Sequence, residues 1–196
     1  MWSAAILAGG RATRFGGRDK GALMVDGQSI LDRQIAELTR LTSDVLIVGS
    51  RDRLAAGRAR LIEDNLPGRG PLAGLHAALA AASGDAVAVV ACDMPHVSAP
   101  LLAYLLTLTQ DADAVVPRID GRDHPLCAAY TRLCLGPAET CLVRGALRMT
   151  DLLDSVRVRF VSAAEISGFG DHHQLLANVN TPEEYASLEA FQGHQL

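Results

Sequence analysis

The 196-residue chain lacks the marks of several large protein classes. It has only four cysteines, Cys92, Cys127, Cys134 and Cys141. None of them forms a CxxC pair, and no histidine stands at zinc-finger spacing. A disulfide framework and a structural zinc site are therefore unsupported, and reduced, buried thiols are expected. No apolar run reaches the roughly 18 residues that a membrane-spanning helix takes. The run from Ala4 to Ala8 is too short for the apolar part of a secretion signal and has no basic flank before it. The expectation is a cytoplasmic protein without a membrane partner. Net charge is −4, so there is no general positive field to attract nucleic acid, and a phosphate-rich ligand would have to be met by local donors. Walker A, GxGxxG, GxSxG and HExxH spacings are all missing, which disfavours a nicotinamide dehydrogenase and a covalent nucleophile.

What is present is the balance of a globular protein, 49% hydrophobic and 20% charged, in a length that suits one domain over 1–196. Strand and helix patterns alternate. Trp2 to Ala8 reads as a buried strand. Leu23 to Val25 with Asp26-Gly27 reads as a short strand and tight turn. Ile30, Leu31, Ile35, Leu38 and Leu41 share one helical face. Val45 to Val48 and Arg60 to Ile62 read as strands, Pro71 to Ala82 as a helix opened by Gly70-Pro71, and Ala86 to Ala91 as the most continuous buried strand. Ser98 caps a helix reaching about Leu108. Ala114 to Val116 and Leu126 to Tyr130 read as strands around Asp120-Gly121. Two helices follow, then a strand over Val156 to Val161. Thr181-Pro182-Glu183-Glu184 carries a capping box for a last helix. This alternation predicts βαβ units and a largely parallel sheet covered on both faces. Ligands of such sheets gather beyond the carboxyl ends of the strands, so the loops after Ala8, Val48, Ile62 and Ala91 are expected on one edge.

The unusual residues fall on those loops. After the first strand the chain reads Leu7-Ala8-Gly9-Gly10-Arg11-Ala12-Thr13-Arg14-Phe15-Gly16-Gly17-Arg18-Asp19-Lys20-Gly21. Paired glycines let backbone N–H groups form an anion-binding concavity, and Arg14 and Lys20 add positive charge suited to phosphate. A flexible Gly/Arg surface loop has the same composition. Asp93, in Ala91-Cys92-Asp93-Met94-Pro95, ends the core strand, where one carboxylate with substrate phosphates can hold Mg²⁺. A turn- or helix-capping acid fits that position equally. Asp64 follows a short strand and can accept hydrogen bonds from a base or ribose, or be a plain loop acid. Gly74, in Gly70-Pro71-Leu72-Ala73-Gly74, places a helix start near a ligand or serves close helix packing. Asn178 and Asn180 share one side of an extended segment and face a ligand or form a turn. His172-His173 reads as surface, the two side chains pointing apart on a strand. Without a nucleophile constellation, these residues suit transfer on bound phosphates, which needs positioning and charge neutralisation.

Together the motifs LAGG, IEDN, GPLAG, ACDMP, HPLCAAY and NVNTPEE, from Ala4 to about Leu188, resemble those of the molybdenum cofactor guanylyltransferases, the MobA family. The resemblance implies a Rossmann-like three-layer α/β sandwich with a mostly parallel, mixed sheet. It implies a magnesium-dependent nucleotidyltransferase that joins GMP from GTP to the phosphate of Mo-molybdopterin, with release of pyrophosphate. Leu7, Ala8, Gly9, Lys20, Asp64 and Asp93 would contact GTP, with Asp93 also holding Mg²⁺. Arg14, Gly17 and the Gly9-Gly10 backbone would serve the triphosphate. Gly74, Asn178 and Asn180 match positions on the pterin side. The catalytic set is then Lys20, Arg14 and Asp93. A monomer is expected, with transient contact to molybdopterin-supplying and molybdoenzyme-delivery proteins. Three positions depart from the pattern. Val48 stands where Asn is common, leaving a backbone contact only, while Phe15 replaces Met and Ala22 replaces a longer apolar residue. A molybdenum cofactor cytidylyltransferase is the near rival. It usually opens LAAG, so Gly9 favours guanine. A sugar-phosphate nucleotidyltransferase usually has a longer sugar-binding region. A GTP-binding delivery protein without turnover is the alternative from another class.

Overall fold

The computed structural model describes residues 1–8, 23–25, 27–49, 59–63, 66 and 68–179. In chain order these form β1 (Trp2–Leu7), β2 (Met24–Val25), β3 (Gln28–Ser29), α1 (Ile30–Leu41), β4 (Val45–Val48), β5 (Arg60–Ile62) and α2 (Pro71–Ala81). There follow β6 (Ala86–Ala91), α3 (Ala99–Thr107), β7 (Ala114–Ile119), β8 (Arg122–Asp123) and β9 (Cys127–Thr131). The described chain ends through α4 (Leu135–Arg144), α5 (Met149–Leu153), β10 (Val158–Val161), α6 (Ala163–Ile166) and α7 (His172–Leu175). Among the described residues, no helix is long and apolar enough to cross a membrane.

One eight-stranded sheet runs β10-β7-β9-β6-β1-β4-β5, with β8 paired to β7, and β2 and β3 form a separate hairpin. β1 lies parallel between β4 and β6, and β5 and β10 are also parallel to their neighbours. β9 is antiparallel to both β6 and β7. The expected mostly parallel, mixed sheet is therefore present. Alternate residues of the central strands feed two cores. Ala4, Ile6, Ala88 and Val90 pack with Leu31 and Leu38 of α1 and Leu102 and Leu105 of α3. Ala5, Leu7, Val87 and Val89 pack with Leu72, Leu75 and Leu79 of α2 and Leu142 of α4. Strands buried on both faces read as continuous apolar runs for this reason, and each large aliphatic side chain contributes roughly 1.5–3 kcal/mol by burial.

Local chemistry sets the element ends. The Ser29 Oγ accepts the Asp32 N–H at 3.0 Å to cap α1, and Ser98 caps α3 through the Leu101 N–H. Asp120 and Gly121, at φ 50° and 76°, form the two-residue connection between β7 and β8. Both positions require positive φ in such a hairpin, which Asp-Gly supplies. β7 accordingly runs beyond the expected Val116, because Arg118 and Ile119 pair with β8. The helix at Pro71 stops at Ala81, and the last strand starts at Val158.

At the amino edge of the sheet one carboxylate gathers several donors. Asp44 Oδ2 accepts from Ser3 Oγ at 2.6 Å and from the Ser83 N–H at 2.8 Å. Asp44 Oδ1 accepts from Arg60 Nε at 3.0 Å and Nη2 at 2.7 Å. The Gly84 N–H in turn donates to the fully buried Ser3 Oγ at 2.8 Å.

Candidate active site at the carboxyl edge

Parallel pairing brings the predicted loops to one edge. Leu7 stands opposite both Val48 and Ala91, and Val48 opposite Ile62. The ladder runs past the strand ends: Ala8 N–H to Val48 O at 2.8 Å, Gly49 N–H to Ile62 O at 3.0 Å, and Cys92 N–H to Leu7 O at 3.2 Å. The chain thus leaves β1, β4, β5 and β6 in a fixed register at the edge where such sheets bind ligands.

Asp93 sits there, half-buried, as the third residue of a turn closed by the Met94 N–H on Ala91 O at 3.3 Å. Its own carbonyl accepts the Val179 N–H at 2.8 Å. That bond brings the half-buried Asn178 beside the Asp93 turn. Leu7 and Ala8 form the floor of the edge. The Leu7 side chain is only 6% exposed and packs in the core beneath α2. Gly74 lies directly over it, and a Cβ built there would meet Leu7 Cδ2 at 3.4 Å. The Val48 side chain is in the same core and its carbonyl serves the Ala8 N–H. Gly9, Gly10, Arg14, Gly17, Lys20, Asp64 and Asn180 lie outside the described residues, as do Phe15, Ala22 and the capping box at Thr181.

Two features of this edge were not among the expected site residues. Gln34 of α1 is fully buried, and its Nε2 donates to Ala91 O at 2.7 Å and Met94 O at 2.8 Å, bracing the Asp93 turn from below. Its spacing offered the clue, since position 34 is one helical repeat of four from both Ile30 and Leu38, which are buried. The second is the start of β9. Because β9 runs antiparallel, its first residues reach the same edge, and Leu126 O accepts the Ala91 N–H at 2.9 Å. His124 precedes it, half-buried, its N–H on Pro117 O at 2.9 Å. Burial and then the Arg122 charge hold its imidazole below the usual range, against a smaller pull from Asp123.

Cys127, Cys134 and Cys141 are buried and Cys92 is half-buried, all free thiols. Burial pushes the Cys127 thiol up to about 12, and burial together with the Asp113 charge does the same for Cys134. Such thiols stay protonated and inert. His172 and His173 are on the short helix α7, not on a strand, and their rings lie 4.2 Å apart instead of pointing apart. Asp171 fixes this turn by accepting the His173 N–H at 2.8 Å. Among the described residues no three His, Cys, Asp or Glu side chains group to cage a metal.

Among the described residues, the half-buried Asp93 carboxylate stands in the turn after β6, at the strand-end edge. It suits a hard cation that takes one protein oxygen and completes its shell with phosphates and water, as Mg²⁺ does.

Comparison with known proteins places these features in a wider group. Residues 4–159 match the model of the MobA-like NTP transferase domain. The chain is 33% identical over 187 residues to the molybdenum cofactor guanylyltransferase of Desulfosudis oleivorans, covering 94% of this chain and 93% of that one. It is 31% identical over 188 residues to the molybdenum cofactor guanylyltransferase of Vibrio cholerae, covering 94% and 90%. The crystal structure of molybdopterin-guanine dinucleotide biosynthesis protein A from Archaeoglobus fulgidus superposes with a TM-score of 0.82 at 25% identity, over 98% of this chain and 99% of that one.

Proposed function

The chain belongs to the MobA-like NTP transferase family, and from that premise we propose that it transfers GMP from GTP to the phosphate of Mo-molybdopterin, giving the guanine dinucleotide and pyrophosphate. The observation that carries the reading is the meeting of Leu7, Ala8, Asp93 and Asn178 at one strand-end crevice, tied by the Cys92–Leu7 and Val179–Asp93 hydrogen bonds. Relatives about a third identical along nearly the whole chain, named as guanylyltransferases, support the choice of substrates.

In this reading an oxygen of the molybdopterin phosphate attacks the α-phosphorus of GTP. A new P–O bond forms, the bond from the α-phosphorus to the bridging oxygen breaks, and pyrophosphate leaves with the electron pair. The nucleophile is already an anion, so no strong general base is required. Mg²⁺, held by Asp93 and the substrate phosphates, would supply charge neutralisation along the triphosphate. Arg14, Lys20 and the Gly9-Gly10 backbone would hold the phosphates, and Lys20 would meet the charge that grows on the α-phosphate in the transition state. Asp64 would serve the nucleoside, and Gly17 the triphosphate. Gly74, Asn178 and Asn180 would border the pterin.

The test is a competition between GTP and CTP on the purified protein with Mg²⁺ and Mo-molybdopterin. Preferential GTP consumption, with one pyrophosphate per guanine dinucleotide formed, is the expected result. Preference for CTP makes the protein a cytidylyltransferase, and stoichiometric GTP binding without pyrophosphate release makes it an accessory protein.

A further inference from the structure

Gln34 is out of place on its helix. The buried stripe of α1 is otherwise Ile30, Leu31 and Leu38, and Gln34 in its midst is fully buried. A buried amide is costly unless its polar atoms are engaged. The amide nitrogen is engaged twice on the same short segment, Nε2 donating to Ala91 O at 2.7 Å and to Met94 O at 2.8 Å, while Oε1 is buried with no hydrogen-bond partner. Those two carbonyls belong to the first and last residues of the turn that presents Asp93. The turn's own closing bond, Met94 N–H to Ala91 O, is long at 3.3 Å. The amide therefore clamps the turn across its base. From the other side the Val179 N–H holds the Asp93 carbonyl at 2.8 Å.

The same helix also holds two neighbouring segments of the chain. Its first residue, Ile30, donates its N–H to Leu23 O at 2.9 Å, and Ile30, Val25 and Val179 form a small apolar cluster joined by Leu23. Leu23 is where the chain returns from the glycine-rich segment, and Val179 lies between Asn178 and Asn180. One helix thus braces the Asp93 turn by a side chain, and its first residue packs with Leu23, Val25 and Val179.

We propose that Gln34 is a positioning residue for the transfer reaction: it touches neither substrate, and by locking the Ala91–Met94 turn it holds the Asp93 carboxylate in the one orientation that binds a metal–nucleotide complex. This rests on the functional reading above. Groups that orient a metal-binding side chain from behind commonly change metal affinity or activity by about 10–100-fold when removed. Methionine matches glutamine in length and suits an apolar surround, so Gln34→Met removes both donors while keeping the core filled.

The experiment measures Mn²⁺ binding by electron paramagnetic resonance in the presence of saturating GTP, together with the metal dependence of turnover and the melting temperature. Wild type, Gln34→Met, the isosteric Gln34→Glu and the control Leu38→Ala are compared. Leu38 is buried on the same stripe, one helical repeat further from the turn. The half-saturating Mn²⁺ concentration is expected to rise about 10–100-fold in Gln34→Met. Gln34→Glu, which has no donor when ionised, shifts it in the same direction and stands in if Gln34→Met does not fold. Leu38→Ala lowers the melting temperature but keeps the wild-type Mn²⁺ value. Wild-type Mn²⁺ binding by the Gln34 variants overturns the inference alone, as does a loss of metal affinity in Leu38→Ala that tracks its loss of stability. A wild-type protein that binds no Mn²⁺ with GTP overturns the functional reading and this inference with it.

Discussion

Replacing Asp44 by alanine tests how the amino edge of the sheet is held. Asp44 accepts four hydrogen bonds from three residues on separate segments, Ser3 of β1, Arg60 of β5 and Ser83 before β6. The Ser3 hydroxyl is fully buried, so without its acceptor it costs about 1–3 kcal/mol. The bond from the Ser83 N–H ends on a charge but lies at the surface, and about 1 kcal/mol is a fair share. The Arg60 side chain is 49% exposed, which limits the ion pair to about 0–1 kcal/mol. The sum is roughly 3 kcal/mol, which for a chain of this size lowers the melting temperature by about 6–12 °C. Urea unfolding at pH 7 measures it directly. A Ser3→Ala substitution added to Asp44→Ala should cost about 1–3 kcal/mol more, because it also takes the buried acceptor from the Gly84 N–H. Burial raises the Asp44 carboxyl pKa, and the bonds from Ser3, Ser83 and Arg60 outweigh that effect and leave it lowered. A lowered folded-state pKa gives stability that is complete above the unfolded value of about 3.8 and lost as pH falls through the folded one. The gap between wild type and Asp44→Ala should thus be constant from pH 7 to 5 and narrow below about pH 3.8. A loss under about 1 kcal/mol at pH 7, or a gap that widens in acid, would refute the reasoning.

Three further outcomes follow from the structure. A Cβ at Gly84 would lie 2.6–2.8 Å from backbone atoms of Met1, Trp2 and Ser3, so Gly84→Ala should lose at least about 1–3 kcal/mol in a thermal melt. Gly74 faces only the flexible end of Leu7, and helix interiors favour alanine, so Gly74→Ala should hold or gain up to about 1 kcal/mol. A fall in its melting temperature would contradict that packing. The Glu165 carboxyl is held down to about 2, first by the Ser162 N–H and, against burial, by the Ser162 hydroxyl, Arg159 and Tyr104. Its contribution is present above pH 4.5 and lost toward pH 2, so acid titration of Glu165→Gln should converge on wild type across that window.

The parts of this fold that were legible in the sequence are those where one local rule dominates. β1 and β6 are buried on both faces, so apolar runs alone mark them, and their parallel register then places the loops after Ala8 and Ala91 together. Ser98 caps its helix through a bond that depends on residue type and spacing. The direction of β9 was less legible. Its residues are apolar either way, and only the pairing with β6 and β7 sets its sense and brings His124 to the crevice edge. Gln34 and Ser3 escaped for a related reason. Each is a polar residue in an apolar stretch, and only the tertiary partner, a turn carbonyl or a distant carboxylate, accounts for its burial. His172-His173 gave no period from so short a segment, and the Asp171 cap made it helical.

The central claim is guanylyl transfer centred on Asp93, and the most direct test follows the label. Wild type and Asp93→Ala are each incubated with Mg²⁺, Mo-molybdopterin and GTP labelled at either the α- or the γ-phosphate. The account predicts that wild type carries only the α-label into the pterin dinucleotide and releases the γ-label as pyrophosphate, while Asp93→Ala melts like wild type and transfers almost nothing. Label from the γ-position in the pterin product, or full transfer by folded Asp93→Ala, would contradict it.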